Sequence, residues 1–189
     1  MLPAATQLPP LNTPRLRLRW LTAADVPALY AIFSDPQVLR YWGNAGVRNE
    51  AEAAGLLADI YACFAARTLF QWGVARATDD QVIGTCTLSG LSAGNRRADI
   101  GYALGTAHWG QGYMHEALPE LLRFAFGPLD LHRLVADVDP RNHASIRSLE
   151  RLGFRREGYQ REQYYQAGEW QDAVLYGLLR REAAPELRG

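Results

Sequence analysis

Strict alternation opens the patterned part of the chain. In "RLRLRWL" (15–21), Leu16, Leu18 and Trp20 fall on one side and arginines on the other, the rhythm of a strand with one buried face. At Thr22 the period changes. "TAAD" is close to a capping box, and Val26, Leu29, Tyr30 and Phe33 then recur at helical spacing. "SDP" (34–36) breaks that helix, and a short helical turn is expected through Val38, Leu39 and Trp42. "NEAEAAGLLADIYACFAAR" (49–67) is the clearest helix, rich in alanine with acids in its first turn. Period two returns in "LFQWGVARA" (69–77), "QVIGTCTLSGL" (81–91) and "RRADIGYAL" (96–104), which predict three strands, the first two joined by a turn at 78–80. A helix is expected to run to about Phe126, followed by a strand at 132–138 and a helix over 142–154 ended by Gly153. Two strand-like runs, 156–166 and 169–181, flank a turn at Ala167–Gly168.

Strand, helices, three strands, helix, strand, helix and two strands make an α/β or mixed α+β sandwich around one sheet. A single domain is expected over 15–182. Residues 1–14 hold four prolines and are expected to be an extended, poorly ordered lead-in, and 183–189 a tail. Composition narrows the function. Twenty basic residues balance twenty acidic ones, so no net field draws nucleic acid or an anionic membrane. All the basic residues are arginine, which excludes any mechanism that requires lysine. No run approaches the ~20 apolar residues that span a bilayer, and the start lacks the pattern of a signal peptide. Cys63 and Cys86 belong to no metal or redox motif and are expected to be buried, reduced thiols, which suits a cytoplasmic protein.

The candidate chemistry begins at "HWGQGYMHEA" (108–117), which places Gly110 and Gly112 immediately before a helix. The first amides of a helix have no internal partner, and the helix dipole adds about half a positive charge there. Glycine lets an anion approach the main chain. The spacing of a Walker loop is absent, as is its lysine. A Rossmann turn would need a glycine where His115 stands. By itself the pair also fits a tight turn without a ligand. Downstream, "NHASIRSLERLGF" has Asn142 as helix N-cap and an apolar stripe of Ile146, Leu149 and Leu152.

Taken together, "ADIGYALGTAHWGQGYMHEALPELLRFAF", "VDPRNHASIRSLERLGFRREGYQRE" and "GEWQDAVLYGLLRRE" resemble the GNAT superfamily of N-acetyltransferases, more narrowly its Rim-type branch, whose members acetylate ribosomal-protein N-termini. The opening "TPRLRLRWLTAADVPALYAIFSDPQVLRYW" is similar too, so the likeness covers about 12–182. It implies a central, mostly antiparallel sheet with one splayed pair of strands and helices on both faces. It implies acetyl-CoA as co-substrate, an amine acceptor (a peptide N-terminus or a small amine), and no metal, in a monomer or homodimer. The family's phosphate loop falls on 109–114, with Trp109 in place of a polar residue and Met114 in place of a small one. The resemblance assigns Gln111, Gly112, Tyr113, Met114 and His115 to the pyrophosphate. A bulge in "IGYAL" is expected to free main-chain groups of Tyr102, Ala103 and Leu104 for the pantetheine arm. Asn142 is placed on that arm and Ser145 near the sulfur. Pro119 is expected to kink the intervening helix or delay its regular part to about Glu116.

Acetyl transfer needs a neutral amine, a donor for the oxyanion and a proton for the thiolate. Asp99, where relatives often carry glutamate, is the first candidate base, acting through water; a solvated or ion-paired acid near Arg96 and Arg97 fits the residues equally. Glu150, Asp137 and Glu162 are weaker candidates. Ser145 is the candidate donor to sulfur, and Tyr164 and Tyr165 could also reach the cleft. The histidines 108, 115, 132 and 143 show no metal spacing. Two other classes stay open on sequence alone: a non-catalytic acyl-CoA module and an NAD-binding domain.

Overall fold

The computed structural model describes residues 5–43, 45–166 and 168–188. Its strands are β1 (Leu11–Asn12), β2 (Leu16–Arg19), β3 (Leu69–Arg76), β4 (Val82–Ser92), β5 (Arg97–Leu104), β6 (Arg133–Val138), β7 (Arg155–Gln166) and β8 (Glu169–Leu179). The helices are α1 (Val26–Phe33), α2 (Pro36–Leu39), α3 (Glu50–Ala65), α4 (Tyr113–Phe126) and α5 (His143–Arg151). One sheet runs in the order β1-β2-β3-β4-β5-β6-β8-β7. Every neighbouring pair is antiparallel except β5–β6, and that parallel step contains α4 as its crossover.

Side-chain alternation sends each strand's residues to two cores. Even-numbered positions of β3 to β6, such as Trp72, Cys86, Leu88, Ile100 and Leu134, pack with α4 and α5. On α4, Leu118, Leu121, Leu122 and Ala125 repeat at three and four residues and are buried, so helical period and sheet period meet on one face. Trp72 and Phe124 meet edge to face at 5.2 Å. The opposite face carries Ala75 and Ala103 against Leu29, Phe33, Leu57 and Ile60 of α1 and α3.

The ends of the elements follow the expected signals. Asp25 accepts the Thr22 N–H at 2.7 Å and pairs with Arg19 through two 2.8 Å bonds, which anchors the entry to α1. Burial pushes the Asp25 carboxyl up, but the guanidinium and the Thr22 donors overbalance it, and the net is a lowering. Asn49 caps α3 by accepting from the Glu52 N–H at 2.9 Å. α4 runs unbroken from Tyr113 through Pro119, so its regular part does not wait for Glu116. The ring sits at the helix's seventh residue and costs one bond to the His115 carbonyl, while the apolar face still docks on the sheet.

The expected lead-in and tail both pack on this unit where they are described. Leu8 is buried, β1 pairs with β2, and Trp72 Nε1 donates to the Pro9 carbonyl at 2.9 Å. Ala183 and Leu187 are buried at the other end. The hydrophobic residues scattered in these segments cover sheet edges and α4. Ala167, half of the expected hairpin turn, lies outside the described residues; its partner Gly168 has φ +85°.

Candidate active site

The sheet forks at its one parallel pair. Strands β5 and β6 are in register from Arg97–Arg133 to Asp99–Val135 and no further. Beyond that point Ile100–Leu104 and Ala136–Val138 separate, and a cleft of about 1450 Å³ opens between them. It is lined from both faces of the sheet. Alternation puts Tyr102 on the α4/α5 side and Asp99 on the α1/α3 side.

The first half of the cleft is built from main chain. Gly110 (φ +73°) and Gly112 (φ +78°) are both left-handed, a conformation that costs L side chains and costs glycine nothing. A Cβ on Gly110 would meet no atom within 4 Å, so the space above this turn is open. Gly112 caps α4, and its carbonyl takes the Glu116 N–H at 3.1 Å. The N–H groups of Tyr113, Met114 and His115 therefore form the unpaired first turn, an electropositive rim suited to a phosphate. Trp109, in the polar position of the loop, donates its Nε1 to the Leu104 carbonyl at 2.7 Å and so fastens the loop to the end of β5. Met114 is accommodated because Gly84 opposite it has no side chain; a Cβ there would lie 3.2 Å from the methionine methyl.

Arg15 is a site residue that the sequence patterns did not single out. Its guanidinium lies over the Tyr113 ring at 4.8 Å, donates to the Gln111 carbonyl at 3.1 Å and pairs with Glu116 at 2.6 Å. Thr13 also donates to Glu116. Burial raises the Glu116 carboxyl, but Thr13 and Arg15 outweigh that and hold it below its ordinary value. The guanidinium is half exposed beside the helix N-terminus, with its charge partly balanced by Glu116. Only the chain reversal that lays β2 beside α4 brings it there.

Across the fork, Asn142 caps α5. Its Oδ1 accepts the Ser145 N–H at 3.2 Å, and both residues line the cleft. The Ser145 hydroxyl is 2.8 Å from the Tyr102 phenol, which bridges α5 to β5. Burial pushes the Tyr102 phenol up to about 12, against the pull of its bond to Ser145, so it remains protonated near neutrality.

The sequence model of the acetyltransferase (GNAT) domain matches residues 15–155. The chain belongs to the GNAT acetyltransferase family. Among its relatives, the uncharacterized N-acetyltransferase YoaA of Bacillus subtilis is 33% identical over 91% of this chain and 97% of its own length. The [ribosomal protein uS5]-alanine N-acetyltransferase of Escherichia coli, from the Rim-type branch, is 32% identical over 61% of this chain and 60% of its own. The crystal structure of a GNAT-family acetyltransferase from Bacillus anthracis superposes with a TM-score of 0.81 at 25% identity, covering 92% of this chain and 99% of that one. The protein is an acetyl-CoA-dependent N-acetyltransferase with the GNAT fold.

Within this acetyltransferase the expected residues separate into those that reach the cleft and those that do not. Asp99, Tyr102, Ala103, Leu104, Gly112, Tyr113, Met114, His115, Asn142 and Ser145 line it. The Gln111 side chain does not; its amide turns back to the Ala107 carbonyl at 2.9 Å. The bulge expected in "IGYAL" is elsewhere. Residues 100–104 pair with β4 in unbroken register, and the shift lies on β4 between Ser89 and Ser92, around left-handed Gly90. The splay, not a bulge, deprives the other edge of β5 of a strand partner. Of that edge, the Leu104 carbonyl is already occupied by Trp109.

Asp99 holds the fork on the α1/α3 side, and Arg97 pairs with it at 2.8 Å. Asp137, on the same side of β6, accepts the Tyr164 hydroxyl; burial and that carboxylate push the phenol up to about 12. Glu150 and Glu162 stay outside the cleft lining, Glu150 taking the Tyr176 hydroxyl at 3.1 Å. Tyr165 turns outward to ring contact with Trp170. His108, His115 and His143 line the cleft at separate points. Burial, aided by Arg76, lowers His108 below its ordinary value. Cys86 is fully buried and its thiol is pushed up to about 12 by burial, whereas Cys63 is only half-buried and faces the cleft from α3. That correction follows from its phase on α3, between the buried Ile60 and Phe64.

Proposed function

We propose that this acetyltransferase moves the acetyl group of acetyl-CoA to the α-amine of a peptide or protein N-terminus by direct attack. The observation that carries the reading is the fork itself: an anion-binding helix start opens onto one side of it, and a carboxylate with polar neighbours stands on the other. The first-turn amides of Tyr113, Met114 and His115, with Arg15, hold the pyrophosphate. The splayed edge of β5 at Tyr102 and Ala103 and the Asn142 cap receive the pantetheine arm.

The chemistry assigned to the side chains is modest, and the substrate explains why. An α-amine has a pKa near ~8, against ~10.4 for a lysine amine, so a useful fraction is neutral at physiological pH. Asp99, through a water, takes the proton that the nitrogen loses as its bond to carbon forms. Ser145 donates a hydrogen bond to the sulfur as the carbon–sulfur bond breaks. Tyr102, protonated and bonded to Ser145, supplies the proton that ends on the thiol. The relationship to the uS5-alanine enzyme favours a peptide acceptor.

A thiol-release assay with acetyl-CoA and a panel of free N-terminal peptides, polyamines and amino sugars tests this. Peptides are expected to turn over, with kcat/KM rising through a midpoint near pH ~8 to a plateau above it as the amine is neutralised. Turnover restricted to polyamines or amino sugars overturns the peptide reading.

A further inference from the structure

The acceptor half of the cleft has a polar floor that the chemistry above does not use. Cross-strand pairing places Gln71 beside Thr87 and Thr87 beside Gly101, in one row across β3, β4 and β5. The next row on the same face is Leu69, Ser89 and Asp99. Gln71 and Thr87 are only 7% and 8% exposed, yet both line the cleft. Among the described residues neither side chain makes a hydrogen bond within the protein, and neither has a polar atom sealed from solvent, so both offer their polar atoms to the open cleft. Gly101 presents no side chain, and its nearest neighbour is the Thr87 Cβ at 3.9 Å, so the space over the row stays open.

We infer that Gln71 and Thr87 form a recognition pair for an amide of the acceptor, next to the reacting amine. The inference rests on the N-terminal amine reading and narrows it to acceptors with a peptide group. Both side chains are neutral, and each offers a donor and an acceptor. An amide answers an amide on both counts, since its carbonyl takes the Gln71 N–H and its N–H gives to an oxygen. A cationic amine has no acceptor to offer and is better matched by Asp99 one row away. Rows on one face of a sheet are about 7 Å apart, roughly the reach of one to two residues of extended chain. An N-terminal amine near Asp99 thus sets its first or second peptide group over the pair. Alkylamines and polyamines leave both side chains unpaired, and a site built around hydrogen bonds rejects such analogues.

The test compares trialanine, with a free N-terminus, against n-pentylamine. The readout is the ratio of their kcat/KM values in wild type, Gln71→Leu, Thr87→Val and the conservative Thr87→Ser. Calorimetric binding of acetyl-CoA verifies that each variant is folded. Each apolar substitution is expected to lower the ratio by about tenfold, mainly through the KM of the peptide, and Thr87→Ser to retain it. Thr87→Val changes little volume and carries the test alone if Gln71→Leu unfolds. A ratio unchanged in the folded apolar variants overturns this inference and leaves the function standing. Wild type that acetylates neither probe while binding acetyl-CoA overturns the N-terminal reading and this inference with it.

Discussion

The two halves of the cleft are made of different materials. The proposed coenzyme half is main chain: two left-handed glycines, the first turn of α4 and the unpartnered edge of β5. The proposed acceptor half is side chain: Gln71, Thr87, Ser89, Asp99 and Asp137 from four strands, walled by α1 and α3. Main-chain donors are indifferent to residue identity, so Trp109 and Met114 can stand in the loop without removing a single N–H group. A floor of side chains changes with every substitution. One scaffold can therefore keep its activated acyl donor while its acceptor varies.

The largest effect expected from breaking this contrast is on the wall of the acceptor half. Asp25→Ala removes the buried carboxylate partner of Arg19 together with the Thr22 bonds at the base of α1, and leaves Arg19 only the more exposed Asp80. Unfolding in urea should show a loss of about 3 kcal/mol. Because the folded Asp25 carboxyl is held below its ordinary value, its contribution is present above the ordinary carboxylate pKa. It fades as pH falls through the lowered one. The wild-type advantage over Asp25→Ala should accordingly shrink on acidification below pH ~4.

Next is the coenzyme half. Gly112→Val forces a β-branched residue into φ +78° and turns the first amides of α4 away. Acetyl-CoA binding measured by calorimetry should weaken by about 30-fold, equivalent to ~2 kcal/mol. If the dissociation constant is unchanged, the main-chain cradle is not the phosphate site. Between the halves, Tyr102→Phe leaves Ser145 without its phenol partner. It should lower kcat by about tenfold with little change in acetyl-CoA affinity, in stopped-flow thiol release. An unchanged kcat assigns Tyr102 to packing alone. The smallest effect is for Glu116→Gln, which releases the charge that aims Arg15 across the α4 start. A two- to threefold rise in the KM for acetyl-CoA, about 0.5 kcal/mol and reduced by salt, would place Arg15 on the electropositive rim.

Local signals in the chain fixed most of the elements, since capping, alternation and helical period are interactions between near neighbours. Asn49 and Asn142 cap the helices their positions announced, and the strands at 69–77, 81–91 and 96–104 differ from those observed by one residue at one or both ends. The glycine pair Gly110 and Gly112 before a helix was also legible, because such a turn is a property of a few consecutive residues; its left-handed backbone is seen in the structure. Long-range pairing was not. The bulge expected in "IGYAL" lies on β4 instead, since register belongs to two strands and cannot be read from one. Arg15 reaches the loop from 96 residues away, and Gln71, Thr87 and Asp99 become neighbours only when three strands align. The sequence by itself determined the periods, the caps, the glycine turn and the family; the tertiary structure alone decided where the sheet forks and which side chains line the cleft. A hydrophobic period specifies which face is buried, but the partners across that face depend on how distant segments are brought together.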